Sequence, residues 1–265
     1  MDGYCQAVRV KRFESFDGTT ICFHEWGSAR NTNLPPVVLQ HGFVADSYAN
    51  WVQPGVVDAL TDDGRWVIAV DARGHGASEK LYDTSRYGEA KMAQDLGALF
   101  DALGVNKVHL VGYSMGAVVS LLVASEDRRV SRLVVGGVGA GIVELGGVDT
   151  RAVPTEALVA ALTTDDPGTI EHPGLAGFRA LADAVGADRA AVAAQAGAMH
   201  TGEIKLDRIT APTLVLAGDA DPLASRPKVL ANAIRKARVR TMPGDHLNAV
   251  LEPAFADAVV SFLRS

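Results

Sequence analysis

Apolar and polar positions along this chain follow two rhythms, one of strands and one of helices. Residues 8–16 and 20–26 are apolar-rich stretches flanking Asp17-Gly18, which predicts a β-hairpin. Pro35-Pro36 opens an unbroken run, Val37-Val38-Leu39-Gln40, ended by His41-Gly42. A short apolar run between turn residues suits a strand buried on both faces. A helix is expected over 52–60, stopped by Asp63-Gly64, and a buried strand over 66–70. Met92, Leu96, Leu99 and Leu103 lie three or four apart and predict a helix over 88–103, closed by Gly104. A strand over 108–111 precedes a helix over 115–124 that is apolar nearly all round and therefore buried. Strands are expected at 133–135, 213–217 and 239–242, and helices at 227–234 and 253–263.

Strands alternating with helices imply a parallel sheet with helices on both faces, the opening hairpin adding an antiparallel edge. The alternation stops between about 137 and 209. That stretch starts with the glycine-rich segment 136–147 and then offers alanine-rich helices at 155–162, 174–185 and 188–199. Ligands of open α/β sheets bind at the carboxyl ends of the strands. A helical insertion late in such a sheet is expected to lie over those ends as a lid. The expected division is a core over 1–136 and 210–265 with a cap over 137–209.

Composition narrows the classes. With 48% hydrophobic residues in 265, the core needs no disulfide or metal to be stable. The net charge of −6 gives no general attraction to nucleic acid or anionic membranes, so neither is an expected partner. The two cysteines, Cys5 just ahead of the first predicted strand and Cys22 in the second, are expected to be free thiols. No Cys/His spacing suits a metal, and neither a metal nor an organic cofactor is expected. Residues 1–12 lack the long apolar stretch of a signal peptide, and no run is long enough to span a bilayer, so a cytoplasmic location is expected. A homo-oligomer is allowed by the sequence.

The sharpest chemical signal is Gly112-Tyr113-Ser114-Met115-Gly116, a G-x-S-x-G between a predicted strand and a predicted helix. A tight strand-to-helix turn exposes the serine hydroxyl at the top of the sheet. The helix start supplies backbone N–H groups, so the Met115 N–H can stabilise an oxyanion. A phosphate loop would need Gly-Lys-Ser/Thr or G-x-G-x-x-G, and neither is present. The serine needs a base, and seven histidines are available: His24, His41, His75, His109, His172, His200 and His246. His24 and His109 lie in strands, and His172 and His200 in the insertion. His246 follows the turn-rich Met242-Pro243-Gly244-Asp245 after the last strand, at the sheet edge that carries Ser114. It is the expected base.

These segments resemble the α/β-hydrolase superfamily over almost the whole chain. The matching pieces are His41-Gly42-Phe43, residues 71–78 (Asp-Ala-Arg-Gly-His-Gly-Ala-Ser), residues 112–116, residues 212–221 and Gly244-Asp245-His246. The resemblance implies an eight-stranded, mostly parallel sheet with a cap after the sixth strand. It implies a Ser114, Asp221, His246 triad, with Asp219 ordering the loop beside Asp221. It makes the Phe43 N–H the second oxyanion donor, His41 the residue that orders its loop, and the turn at Arg73 to Gly76 conformational. Family members that attack with aspartate are set aside by the serine. A carboxylesterase of small or medium apolar acyl esters is the expected activity, with a small-molecule ester as the partner. Phe43, Tyr113, Val143, Leu145 and Val148 are expected to line its pocket. A lactonase or carbon–carbon hydrolase, or a non-catalytic ligand receptor, remains open. The first two want a pocket arginine, for which the insertion offers Arg151 and Arg179.

Overall fold

The computed structural model describes residues 8–30 and 32–265. Cys5, and with it any pairing with Cys22, lies outside them. The hairpin forms as β1 (Arg9–Glu14) and β2 (Thr20–Trp26), and β3 (Val37–Gln40) follows. The helix expected at 52–60 is instead split. A wide helical turn spans Tyr48–Val52, and α1 (Val56–Asp62) begins afresh after Gly55. Pro54 has no N–H to continue the first piece, and Gly55 adopts a φ of 76°. Next come β4 (Val67–Asp71), α2 (Glu89–Leu103), β5 (Val108–Tyr113), α3 (Met115–Glu126) and β6 (Val130–Gly136).

Between β6 and β7 lie four helices: α4 (Ala140–Leu145), α5 (Thr155–Thr163), α6 (Pro173–Ala184) and α7 (Arg189–Ala196). The first is an addition to the sequence reading, which saw only a glycine-rich stretch there. Those glycines admit backbone rather than loosen it. A β-carbon on Gly139 would sit 2.1 Å from the Ser225 carbonyl oxygen, and one on Gly146 would sit 2.1 Å from that of Gly202. The chain ends with β7 (Thr213–Gly218), α8 (Pro227–Ala233), β8 (Ala237–Met242) and α9 (Pro253–Arg264).

The eight strands form one sheet in the order β1-β2-β4-β3-β5-β6-β7-β8. Only the β1–β2 and β2–β4 pairs are antiparallel. Alternate residues of the central strands feed two cores on opposite faces. Val38, Ile68 and Leu110 join the larger core with α2, α3 and α8. Val37, Leu39, Val67 and Val111 join the smaller one with α1 and α9. Each such side chain, fully buried, contributes about 1.5–3 kcal/mol. Among the described residues no helix is long and apolar enough to cross a membrane.

One contact fixes where α3 meets the sheet. A β-carbon on Gly116 would stand 2.0 Å from the Gln40 carbonyl oxygen, and one on Gly112 would stand 2.1 Å from that of Gly116. Both obstacles are backbone, so nothing can rotate aside. Gly116→Ala should therefore lower the unfolding free energy by about 3 kcal/mol or more, the upper range for overpacking. Urea denaturation checks this, and a variant of wild-type stability would contradict the packing described.

Candidate active site

At the end of β5 the chain must reverse into α3 within one residue. Ser114 makes that turn with φ 52° and ψ −116°, a conformation that side-chain-bearing residues seldom adopt. Such a residue costs about 1–3 kcal/mol unless its surroundings hold it. Here its N–H donates to the Gly136 carbonyl at 2.8 Å. Its own carbonyl accepts from Ala117 and Val118 at 2.9 and 3.2 Å, locking the turn to the first coil of α3.

His246 reaches the same place from the loop after β8. Its Nε2 is 2.8 Å from Ser114 Oγ. Its Nδ1 lies 2.9 and 3.1 Å from the two carboxylate oxygens of Asp221. A carboxylate only accepts, so Nδ1 carries the proton and Nε2 is left to accept from the serine hydroxyl. Asp221 also accepts from the Leu223 and Ala224 N–H groups at 2.9 and 3.2 Å, which fixes its carboxylate. All three residues are buried. Asp219 is exposed and accepts from the Gly244 N–H at 3.2 Å, bracing the loop that carries His246. Tyr113 donates its hydroxyl to the His246 carbonyl at 2.7 Å. Gly137 makes room for both rings: a β-carbon there would lie 2.9 Å from Tyr113 and 3.2 Å from His246.

The loop after β3 is braced by three hydrogen bonds. His41 Nδ1 donates to the Gly42 carbonyl at 2.7 Å, and its Nε2 accepts from the Ala72 N–H at 2.9 Å. The ring is thus a neutral Nδ1–H tautomer, and full burial pushes its pKa below the usual histidine value. Asn50 accepts from the Gly42 N–H at 2.7 Å. Val44, next in line after Phe43, holds a φ of 57°, strained for a β-branched residue. Among the described residues no group of the chain accepts from the Phe43 or Met115 N–H.

The other histidines lie elsewhere. His75 is buried, donates to the Arg73 carbonyl, and is pushed down to about 3 by burial. His109 accepts from Arg65, and burial pushes it down to about 4. His172 caps α6 by accepting from the Leu175 N–H. His200 is partly buried and borders neither of the cavities at Ser114. His24 pairs with Asp71 at 3.1 Å. The β2–β4 register also sets Cys22 beside this pair, with ligand atoms within 4.8 Å of one another. That grouping is invisible in sequence spacing. Asp71 already accepts from the Ser47 and Ala77 N–H groups, and burial raises the Cys22 thiol to about 11. Arg73 holds the conformational turn through Asp95 at 2.6 Å and Asp17 at 3.0 Å.

Two cavities meet at Ser114. An outer cleft of about 630 Å³ is bordered by Phe43, Tyr113, Ser114, Phe178, His246 and Leu247, among others. An inner chamber of about 30 Å³ lies among Ser114, Met115, Val148, Phe178, Met199 and Glu89, among others. Of the residues expected to line the pocket, Phe43, Tyr113 and Val148 border these cavities, as Met115 does. Val143 and Leu145 do not. α4 buries Ala140, Gly141 and Ile142, which turns Val143 outward to 45% exposure, and Leu145 borders neither cavity. Arg151 is bound by Asp149 and Glu144, and Arg179 by Asp183 and two carbonyls, so neither arginine borders a cavity. Sequence reasoning missed Phe178, whose ring lies 6.1 Å from Phe43 and 6.0 Å from His246. It is the sole aromatic residue between 137 and 209, which was the available signal.

The family described as alpha/beta hydrolase fold matches residues 35–138. Over 247 residues the chain is 30% identical to a 3-oxoadipate enol-lactonase 1 of Acinetobacter baylyi, covering 88% of this chain and 90% of the relative. The chain belongs to the α/β-hydrolase family. This α/β hydrolase is also similar to a crystal structure of a hydrolase from Pseudomonas aeruginosa, with a TM-score of 0.76 and 28% identity over 97% of this chain and 99% of that one. An enol-lactonase structure from Burkholderia xenovorans gives a TM-score of 0.74 and 26% identity over 96% of this chain and 100% of that one.

The contrast between the two aspartates is testable. Asp221→Asn should lower kcat on an aryl ester by about 10⁴, as loss of the equivalent carboxylate does in serine proteases. Asp219→Asn should stay within about tenfold of wild type, since it loses only a loop brace. Steady-state kinetics on both variants, with folding checked by circular dichroism, reads the difference. The opposite ranking would move the acid to Asp219.

Proposed function

We propose that this α/β hydrolase cleaves carboxylic esters of short acids through an acyl-enzyme on Ser114. The observation that carries the reading is the unbroken hydrogen-bonded chain from Ser114 Oγ through His246 to Asp221, opening onto a largely apolar cleft. His246 takes the hydroxyl proton as Oγ attacks the ester carbonyl. Asp221 holds the imidazole in the required tautomer and stabilises its cation. The Phe43 and Met115 N–H groups, with no acceptor among the described residues, hold the oxyanion. His246 then protonates the departing alcohol, and a water activated by the same ring releases the acid. Helices α4–α7 act as the lid of this site.

The two cavities divide the substrate. The leaving alcohol must lie against His246 to receive its proton, and His246 borders the outer cleft but not the inner chamber. The alcohol therefore occupies the outer cleft. The acyl group points into the inner chamber, whose size restricts it to a few carbons.

Lactones are a second reading, supported by the enol-lactonase names of two relatives. A lactone is an internal ester, and the same steps open it. Among the described residues neither cavity has a lysine or arginine in its wall. Burying an unpaired carboxylate is costly, so lactone or carbon–carbon substrates carrying one fit poorly. A receptor with vestigial chemistry would stop after one acylation.

A nitrophenyl ester series tests this. Acetate and propionate should turn over many times, with kcat/KM at least about tenfold above octanoate, a ratio in the range of hydrophobic-pocket discrimination. Val148→Ala should shift the optimum toward longer acids and Val148→Phe toward acetate. A single turnover would point to a receptor, and a preference order unmoved by both Val148 variants would remove the acyl group from the inner chamber.

A further inference from the structure

The inner chamber contains one feature that ester cleavage does not need. Among the described residues its walls are apolar, Met115, Val148, Val153, Leu158 and Met199 among them, except for Ser114 and Glu89. Glu89 is the first residue of α2 and is 1% exposed. Its Oε2 accepts from the His200 N–H at 2.7 Å, which anchors the chain after α7 to α2. No lysine, arginine or histidine side chain pairs with it among the described residues. A buried carboxyl without a cation carries a desolvation cost that a glutamine or an apolar residue would avoid.

Burial raises its pKa to about 7, against the opposing pull of its own N–H and that of His200. Near neutral pH the group is therefore present both as an acid, which donates, and as a carboxylate, which accepts. A substrate hydroxyl complements both forms, because it donates and accepts in turn. A substrate carboxylate would meet a like charge. A methyl group offers the carboxyl no hydrogen bond, and a site built to bond a substrate hydroxyl rejects the analogue that lacks it.

We propose that Glu89 is a specificity-determining residue that hydrogen-bonds a hydroxyl on the short acyl group, making hydroxyacyl esters the preferred substrates. This rests on the reading that the acyl group enters the inner chamber. Glu89 lies outside the Ser114–His246–Asp221 chain, so its loss changes the choice among acids and not the chemical steps.

Isosteric substrate pairs test this directly. Phenyl glycolate is compared with phenyl propionate, and phenyl 3-hydroxypropionate with phenyl butyrate, in wild type, Glu89→Gln and Glu89→Leu. Each kcat/KM is divided by the rate constant of the same ester with hydroxide, which removes intrinsic reactivity. Wild type should favour the hydroxylated member of at least one pair by about tenfold or more, the discrimination expected of a site built around a hydrogen bond. Glu89→Gln should keep the preference, and Glu89→Leu should abolish or reverse it, read as the ratio within each pair. A wild-type ratio at or below one for both pairs overturns the proposal even if the leucine variant fails to fold. Equal loss on both members in a folded Glu89→Leu also overturns it. A parallel arm follows phosphonylation of Ser114 by nitrophenyl hydroxymethylphosphonate and ethylphosphonate, a pair that needs no ester turnover. Labelling by both at equal rates defeats the Glu89 proposal alone, whereas no labelling of Ser114 by either defeats the esterase reading with it.

Discussion

Ser114 can hold its left-handed backbone only because the strand before it and the helix after it meet with no side chain between them. Gly112 and Gly116 bring the backbone of α3 against the end of β3, a contact that a single β-carbon would prevent. The strain at Ser114 is balanced by hydrogen bonds to Gly136 and to the first coil of α3. Everything else at the site is arranged around that fixed point. Gly136 and Gly137 clear space for Tyr113, and Tyr113 holds the His246 backbone. The Asp219 side chain pins the loop that delivers the imidazole.

The same rigidity explains how labour is divided between sheet and insertion. The chain of Ser114, His246 and Asp221 stands on loops at the carboxyl ends of β5, β8 and β7, outside the helices between β6 and β7. The stretch between β6 and β7 supplies Phe178, on α6, to both cavities, and Val148 and Met199, outside its helices, to the inner one. A change of side chain in the insertion can thus reshape the cavities while the proton path stays in place. Gly147 is an exception. A β-carbon there would stand 2.1 Å from the His200 carbonyl, so enlarging it would disturb the backbone that Glu89 anchors.

The sheet was legible in the chain because its signals are local. Val37 to Leu39 is apolar without a break and proved, with Gln40, to be buried on both faces, and the DG turn at Asp17-Gly18 proved to join a hairpin. The helix expected at 52–60 failed at Pro54-Gly55, where local chemistry outweighed apolar spacing. The glycine-rich stretch after β6 hid α4 because its glycines serve close packing, which composition cannot distinguish from flexibility. Val143 and Leu145 were misplaced for that reason, since without a recognised helix there was no phase to separate its faces. Ser114 and His246 could be singled out because each follows a strand with turn chemistry of its own, whereas Asp221 was chosen over Asp219 with the help of the family resemblance. Glu89 and Phe178 could not. A glutamate at the start of a helix is ordinary in sequence, and only the folded chain shows that it borders the same chamber as Ser114.

On the proposed function, Ser114 becomes covalently acylated during turnover. Rapid quenching of the protein with a nitrophenyl ester, followed by mass spectrometry of the intact chain and its peptides, addresses it most directly. An acyl mass increment should form within the first turnover, map to Ser114 and decay at a rate no slower than kcat. Turnover with no increment on the chain, or an increment mapped to another residue, would contradict the proposed function.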